Sequence, residues 1–149
     1  AQSTSAAKKA PKVSELSIAQ VLKTTPGVFK ENAKNVVIKD LKRGNTRAGF
    51  PGVKAVAKDV FSKPGTRGRS HKCSIVAMDG KPVYLSKAAY FSCDCEAFLY
   101  WCEVALHAKG AAAIKFSNGE APDTRNPRKL PMICKHLIEL AYTCKEHKF

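Results

Sequence analysis

Two short motifs, Cys93-Asp94-Cys95 and Cys134-Lys135-His136, constrain this chain more than any other feature in it. On an extended backbone, side chains two residues apart point to the same side, so both thiols of a C-x-C can face one point. Within a regular helix the same spacing would diverge by roughly 200°. The C-x-H pair therefore converges only if Cys134 lies before or at the first turn of a helix and His136 just inside it. That position puts a thiolate near the positive end of the helix dipole, which favours the ionised ligand. Three thiolates and one imidazole make a closed tetrahedral set suited to a single structural zinc.

Other uses of these cysteines are open at the level of sequence. A disulfide framework needs an oxidising compartment, and the first twelve residues, AQSTSAAKKAPK, contain no apolar stretch of the kind a secretory signal requires. A bridge within Cys93-Asp94-Cys95 would be strained. A Cys/His nucleophile pair lacks a base-orienting acid and an oxyanion donor, so the chain does not read as an enzyme. Cys73, Cys102 and Cys144 fall on apolar strand or helix faces and read as core filler. His71, His107 and His147 stand in no motif and read as surface residues.

All six cysteines lie in residues 73–149, which carry 10 Lys and Arg against 8 Asp and Glu. Residues 1–72 carry 16 against 4, so nearly all of the +14 net charge belongs to a cysteine-free stretch. Asymmetry of this kind implies an anionic partner for one half and a different source of cohesion for the other. Two Gly-bearing basic segments are candidate contacts to nucleic acid or an acidic partner: Lys39, Lys42, Arg43 and Arg47 in the first, Lys63, Arg67, Arg69 and Lys72 in the second. A solvated basic surface is the plainer use of the same residues. No apolar run approaches the roughly 20 residues that span a bilayer.

Along the chain, residues 1–12 read as a basic flexible tail that orders only against a partner. Residues 13–71 read as a basic N-terminal segment, and 72–149 as a zinc-binding unit with a long insertion at 96–133. Ser14 to Thr24 suits a short helix stopped by Pro26-Gly27. Residues 28–42 fit strand or helix and Lys42 to Gly52 a loop, while Val53 to Ser62 has both strand alternation and the helical spacing Val53, Val56, Val60, with strand the preferred reading. Lys72–Met78 and Pro82–Ser86 flank Asp79-Gly80-Lys81 as a hairpin would. Ala89–Cys93 suits a third strand, Glu96–Lys109 a helix ended by Gly110, and Cys134 to about Lys145 a last helix. The fold class expected is α+β: a small antiparallel sheet with two packed helices, stapled by one zinc, plus an extended basic tail.

Cys93-x-Cys95 followed by Cys134-Lys135-His136-Leu137, with Phe98 shortly after the first pair, resembles the SWIM-type zinc finger over about Tyr84 to Tyr142. The resemblance implies a β-β-α unit, zinc ligands at Cys93, Cys95, Cys134 and His136, and a role in DNA binding or protein–protein contact. The 38 residues from Glu96 to Ile133 are long for that family and contain a whole helix. The stretch SNGEAPDTRNPRKLP ahead of CKHL is similar to SWIM-like structural proteins of large tailed phages. Together these lead to the expectation of a non-enzymatic, zinc-stapled interaction protein in a nucleoprotein or virion-like assembly, intracellular or virion-borne rather than secreted. Its neighbours would be proteins, with nucleic acid as a further partner and neither membrane nor small-molecule substrate. The alternative expectation is a free SWIM-type DNA- or RNA-binding regulator.

Overall fold

The computed structural model describes residues 15–59, 70–113 and 130–149. The tail at 1–12, together with Lys63, Arg67 and Arg69, lies outside them. Among the described residues, four helices and one four-stranded antiparallel sheet form an α+β arrangement, with strand order β1-β2-β3-β4. The strands are β1 (Val36–Asn45), β2 (Pro51–Asp59), β3 (Ser70–Ala77) and β4 (Ala89–Cys93). Strands from the basic stretch and from the cysteine-bearing stretch thus share one sheet, β2 pairing with β3 from Gly52↔Val76 to Lys58↔Ser70.

Helix α1 (Ile18–Thr24) begins at Ser17, whose Oγ accepts from the Gln20 backbone N–H while Gln20 Oε1 accepts from the Ser17 N–H. This reciprocal cap satisfies two otherwise orphan donors and sets the helix start at Ile18 rather than at Ser14. Ile18, Val21 and Leu22 turn inward. Pro26 ends the run, and α2 (Gly27–Ala33) follows directly. Residues 28–42 therefore resolve into both candidates, a helix to Ala33 and then a strand from Val36.

The expected loop from Lys42 to Gly52 is shorter than its glycine content indicates. Gly44 and Gly52 lie directly opposite each other inside the β1–β2 ladder, and only residues 46–50 make the turn. A Cβ on Gly52 would stand 3.3 Å from Val76 Cγ2, so the glycine serves close strand packing rather than a bend. A bulge between Lys39 and Lys42, with Asp40 at φ 51°, shifts the register of β1. Val53–Ser62 is a strand as far as Asp59, beyond which the described residues stop.

The expected hairpin through Asp79-Gly80-Lys81 is also corrected. Residues Val83–Leu85 form a single 3₁₀ turn, and β3 pairs instead with β4. Asp79 organises the connection: its carboxylate accepts from Ser86 Oγ at 2.9 Å and from the Lys87 and Lys81 backbone N–H groups at 2.9 and 3.3 Å. The edge of β4 is covered, since the Ala89 and Phe91 N–H groups donate to Leu16 O and Ala111 O.

After β4 the chain enters one helical turn, a π-type turn (Phe98–Cys102) and then α3 (Glu103–Ala108), closed by Gly110 at φ 73°. The last helix, α4 (Lys135–His147), lies across the inner face of the sheet. Leu137, Leu140, Ala141 and Cys144 on α4 meet Ala57, Ile75 and Phe91 from the strands in one buried core. No helix among the described residues is long and apolar enough to cross a membrane.

Candidate metal centre

Alternation along β4 buries Ala89, Phe91 and Cys93, so the Cys93 thiol leaves the end of the strand facing the core. Asp94 turns the chain, and Cys95 comes to rest buried ahead of the π-type turn, its Sγ accepting from the Phe98 N–H at 3.4 Å. Cys134 caps α4 in an extended conformation, φ −76° and ψ 169°, and its carbonyl already accepts from the Ile138 N–H. This half-in, half-out geometry lets residues two apart converge. The approach to Cys134 is anchored by α1: Thr25 Oγ1 accepts from the Ile133 N–H at 3.2 Å, and Thr24 Oγ1 donates to Pro131 O.

Cys93, Cys95, Cys134 and His136 are all buried, and their ligand atoms lie within 4.8 Å of one another. His136 Nδ1 stands 3.9 Å from both Cys93 Sγ and Cys134 Sγ. A tetrahedral zinc with bonds of about 2.3 Å to sulfur and about 2.0 Å to nitrogen would need about 3.6 Å between those atoms. A shift of a few tenths of an ångström brings these two pairs to that spacing. The four side chains can hold a metal ion, and the soft donors suit zinc.

Electrostatics point the same way. Burial pushes the Cys134 thiol well above its ordinary range, and Cys93 is raised with it, although the neighbouring Cys134 hydrogen bond opposes the rise. Cys95, accepting hydrogen bonds from Cys134 and Cys93, is held far below the usual thiol range. Three thiolates packed this closely would need a cation at their centre. Burial alone would lower His136, but contact with Cys95 and with Asp59 outweighs it and raises the imidazole.

Around this set lies a second layer. His136 Nε2 is 2.8 Å from Asp59 Oδ1, and Lys135 Nζ is 3.4 Å from the same oxygen. With Nδ1 given to a metal among the sulfurs, Nε2–H would donate a hydrogen bond to the carboxylate, which would lock ring orientation and tautomer. Asp59 reaches the site because it continues the inward alternation of Val53, Ala55 and Ala57 in β2. Asp94, the middle residue of the C-x-C, accepts from the Lys72 N–H at 3.1 Å and contacts His71 Nδ1 at 3.0 Å. That clamp ties the turn between the two thiols to β3.

His71 is therefore not the isolated surface residue its sequence context implies. It is half-buried, with its ring 4.7 Å from that of His136. Asp59, His71 and His136 also cluster within ligand distance. That trio would have to use the Nε2 already hydrogen-bonded to Asp59, so the sulfur-rich set is the better metal centre. Asp59, His71 and Asp94 escaped the sequence reading because their partners are distant in the chain; the one available signal was an acid at an inward strand position.

The remaining cysteines pack as core. Burial pushes Cys73 up to about 12 and Cys144 up to about 11, the latter against the pull of Arg43, and burial raises Cys102 as well. His107 and His147 are exposed. The basic candidates divide. Lys39, Lys42 and Arg43 belong to β1 and Lys72 to β3 rather than to loops, while Arg47 sits in the β1–β2 turn. Arg43 is turned toward the Phe149 ring, 4.4 Å from its centroid. No protein-family model, curated protein or solved structure matches the chain.

Proposed function

We propose that Cys93, Cys95, Cys134 and His136 hold one structural zinc, and that the chain is a non-enzymatic interaction module of SWIM type. The observation that carries this reading is the closed donor set: four buried protein ligands leave no coordination position for water or substrate. The metal then staples the end of β4 to the start of α4, two segments about forty residues apart whose joining completes the core. The basic N-terminal half meets nucleic acid or acidic neighbours, as a component of a nucleoprotein or virion-like assembly would. Support for that part comes from charge: nearly all of the net +14 falls in residues 1–72, outside the metal unit.

The test is chelation of the purified protein followed by circular dichroism and thermal melting. Loss of folded structure on chelation and its return with stoichiometric zinc is the expected result. An unchanged melting curve after verified removal of all metal would overturn the structural role.

A further inference from the structure

We propose that the outer face of the sheet, opposite α4, binds double-stranded nucleic acid through its phosphates, using Lys39, Lys42, Lys54, Lys58 and Lys72. The inference rests on the reading of the N-terminal half as polyanion-binding and assigns the surface responsible. Only three of these lysines belong to the basic segments apparent in the sequence; Lys54 and Lys58 join them through strand register.

The register places all five on one side. Lys39 and Lys72 flank Val56, Lys42 lies opposite Lys54, and Lys58 sits between Val37 and Ser70. Their neighbours along β2 and β3, Val53, Ala55, Ala57, Cys73 and Ile75, point the other way into the core. Lys39, Lys42, Lys54 and Lys72 are exposed and Lys58 partly so. None of the five takes part in an ion pair among the described residues. With strands about 4.8 Å apart and about 3.4 Å per residue, the charges cover a field of roughly 10 by 14 Å.

Such an arrangement is unfavourable in the free protein. Lys42 and Lys54 are directly opposed, and like charges in that position destabilise a sheet. An anion laid across the strands reverses the sign of that term. A depression beside the β1 bulge is lined by Lys42, Lys54, Lys72, Ser74 and Ser92 together with Asp40, so three cations and two hydroxyls border the same hollow as one carboxylate.

The composition of the face selects among anions. Protein interfaces are depleted in lysine and enriched in aromatic and arginine anchors, which the described residues of this face lack apart from a half-buried Tyr90. Single-strand binders stack successive bases on several aromatic rings, and one tyrosine does not make such a platform. Lysines on flexible stems act as point charges suited to a repeating phosphate array, and they carry no base readout. Duplex nucleic acid held without sequence preference is the partner that fits.

The experiment is fluorescence anisotropy of the full chain with a mixed-sequence DNA duplex between 50 and 200 mM salt. If all five lysines each neutralise a phosphate, the slope of log K against log salt is about −4.5, a loss of roughly 500-fold across that range. The triple variant Lys54→Gln, Lys58→Gln, Lys72→Gln should make the slope shallower by about 2.7. A charge-matched control, Lys81→Gln, Lys109→Gln, Lys145→Gln, changes lysines placed off the sheet and should keep the wild-type slope. Equal slopes for the two triple variants would overturn the assigned face while leaving polyanion binding intact. Saturable binding of a single strand or of polyglutamate, but not of duplex, would overturn the choice of partner. Binding to none of the three at 50 mM salt would overturn this proposal and the polyanion reading together. Zinc content measured on each variant verifies that the fold is retained.

Discussion

Replacing Asp59 by alanine removes the one carboxylate that His136 Nε2 reaches, at 2.8 Å, in a site where Asp59 itself is only 8% exposed. The imidazole would keep its position among the sulfurs but lose the acceptor for its buried N–H. Lys135, 3.4 Å from the same oxygen, would lose its counterion. Hydrogen bonds to charged groups contribute about 1.5–3 kcal/mol, and loss of an outer-shell partner typically costs 10–100-fold in metal affinity. Those two scales agree, since 10–100-fold is about 1.4–2.7 kcal/mol. Asp59→Ala should fall at the upper end. Asp59→Asn, which keeps an acceptor oxygen but not the charge, should fall near tenfold. Competition against a chromophoric zinc chelator at neutral pH reads the affinity, and both variants should still bind one equivalent. An Asp59→Ala affinity within twofold of wild type would refute the assigned hydrogen bond. Complete loss of stoichiometric binding in Asp59→Ala, with retention in Cys134→Ser, would move the metal to the Asp59, His71 and His136 cluster.

Other consequences are independent of the metal's outer shell. Cys73, Cys102 and Cys144 are held as thiols by burial, so iodoacetamide at pH 8 should leave them unmodified in the native protein and label them after denaturation; native labelling seen by mass spectrometry would contradict their packing. Because the folded Cys144 value is raised from 9.0 to about 11, its contribution is fully present below pH 9 and is lost as pH rises through about 11. The stability deficit of Cys144→Ala relative to wild type should therefore narrow between pH 8 and 10 in denaturant titrations, and a constant deficit would argue against the shift. For Asp79, burial opposes but the pull of the Lys87, Ser86 and Lys81 donors exceeds it and lowers its carboxyl below 3.8, so these hydrogen bonds hold at neutral pH and are lost on acidification. Asp79→Ala should cost about 1 kcal/mol at pH 7 by urea unfolding and progressively less below pH 4; an equal cost at pH 3 would count against these hydrogen bonds.

What could be read from the sequence was local. The C-x-H opening the last helix follows from the geometry of a helix cap, whereas the strand carries only Cys93 of the C-x-C, and Cys95 is brought round by the turn at Asp94 rather than by strand periodicity. The strand end and the helix start both stand where the sequence places them. Asp59 could not be assigned in the same way, because its partner His136 is 77 residues away and the contact is made by the packing of α4 on β2. Only its place after Val53, Ala55 and Ala57 marked it as inward. Glycine misled in one place, since Gly44 and Gly52 mimic a loop but face each other within a ladder. Asp79-Gly80-Lys81 misled in another. Pro82 and the Asp79 acceptor favour a compact 3₁₀ connection over a second strand, and β3 waits for β4. The sheet's lysine face was likewise invisible, because it is assembled by register between three strands.

The central claim is that three sulfurs and one imidazole nitrogen hold a single zinc. X-ray absorption spectroscopy at the zinc edge, combined with metal analysis of the same purified sample, tests it most directly. One zinc per chain with an S₃N shell, at about 2.3 Å to sulfur and about 2.0 Å to nitrogen, is the result expected from Cys93, Cys95, Cys134 and His136. A sample that takes up no zinc, or a shell dominated by nitrogen and oxygen, would contradict it.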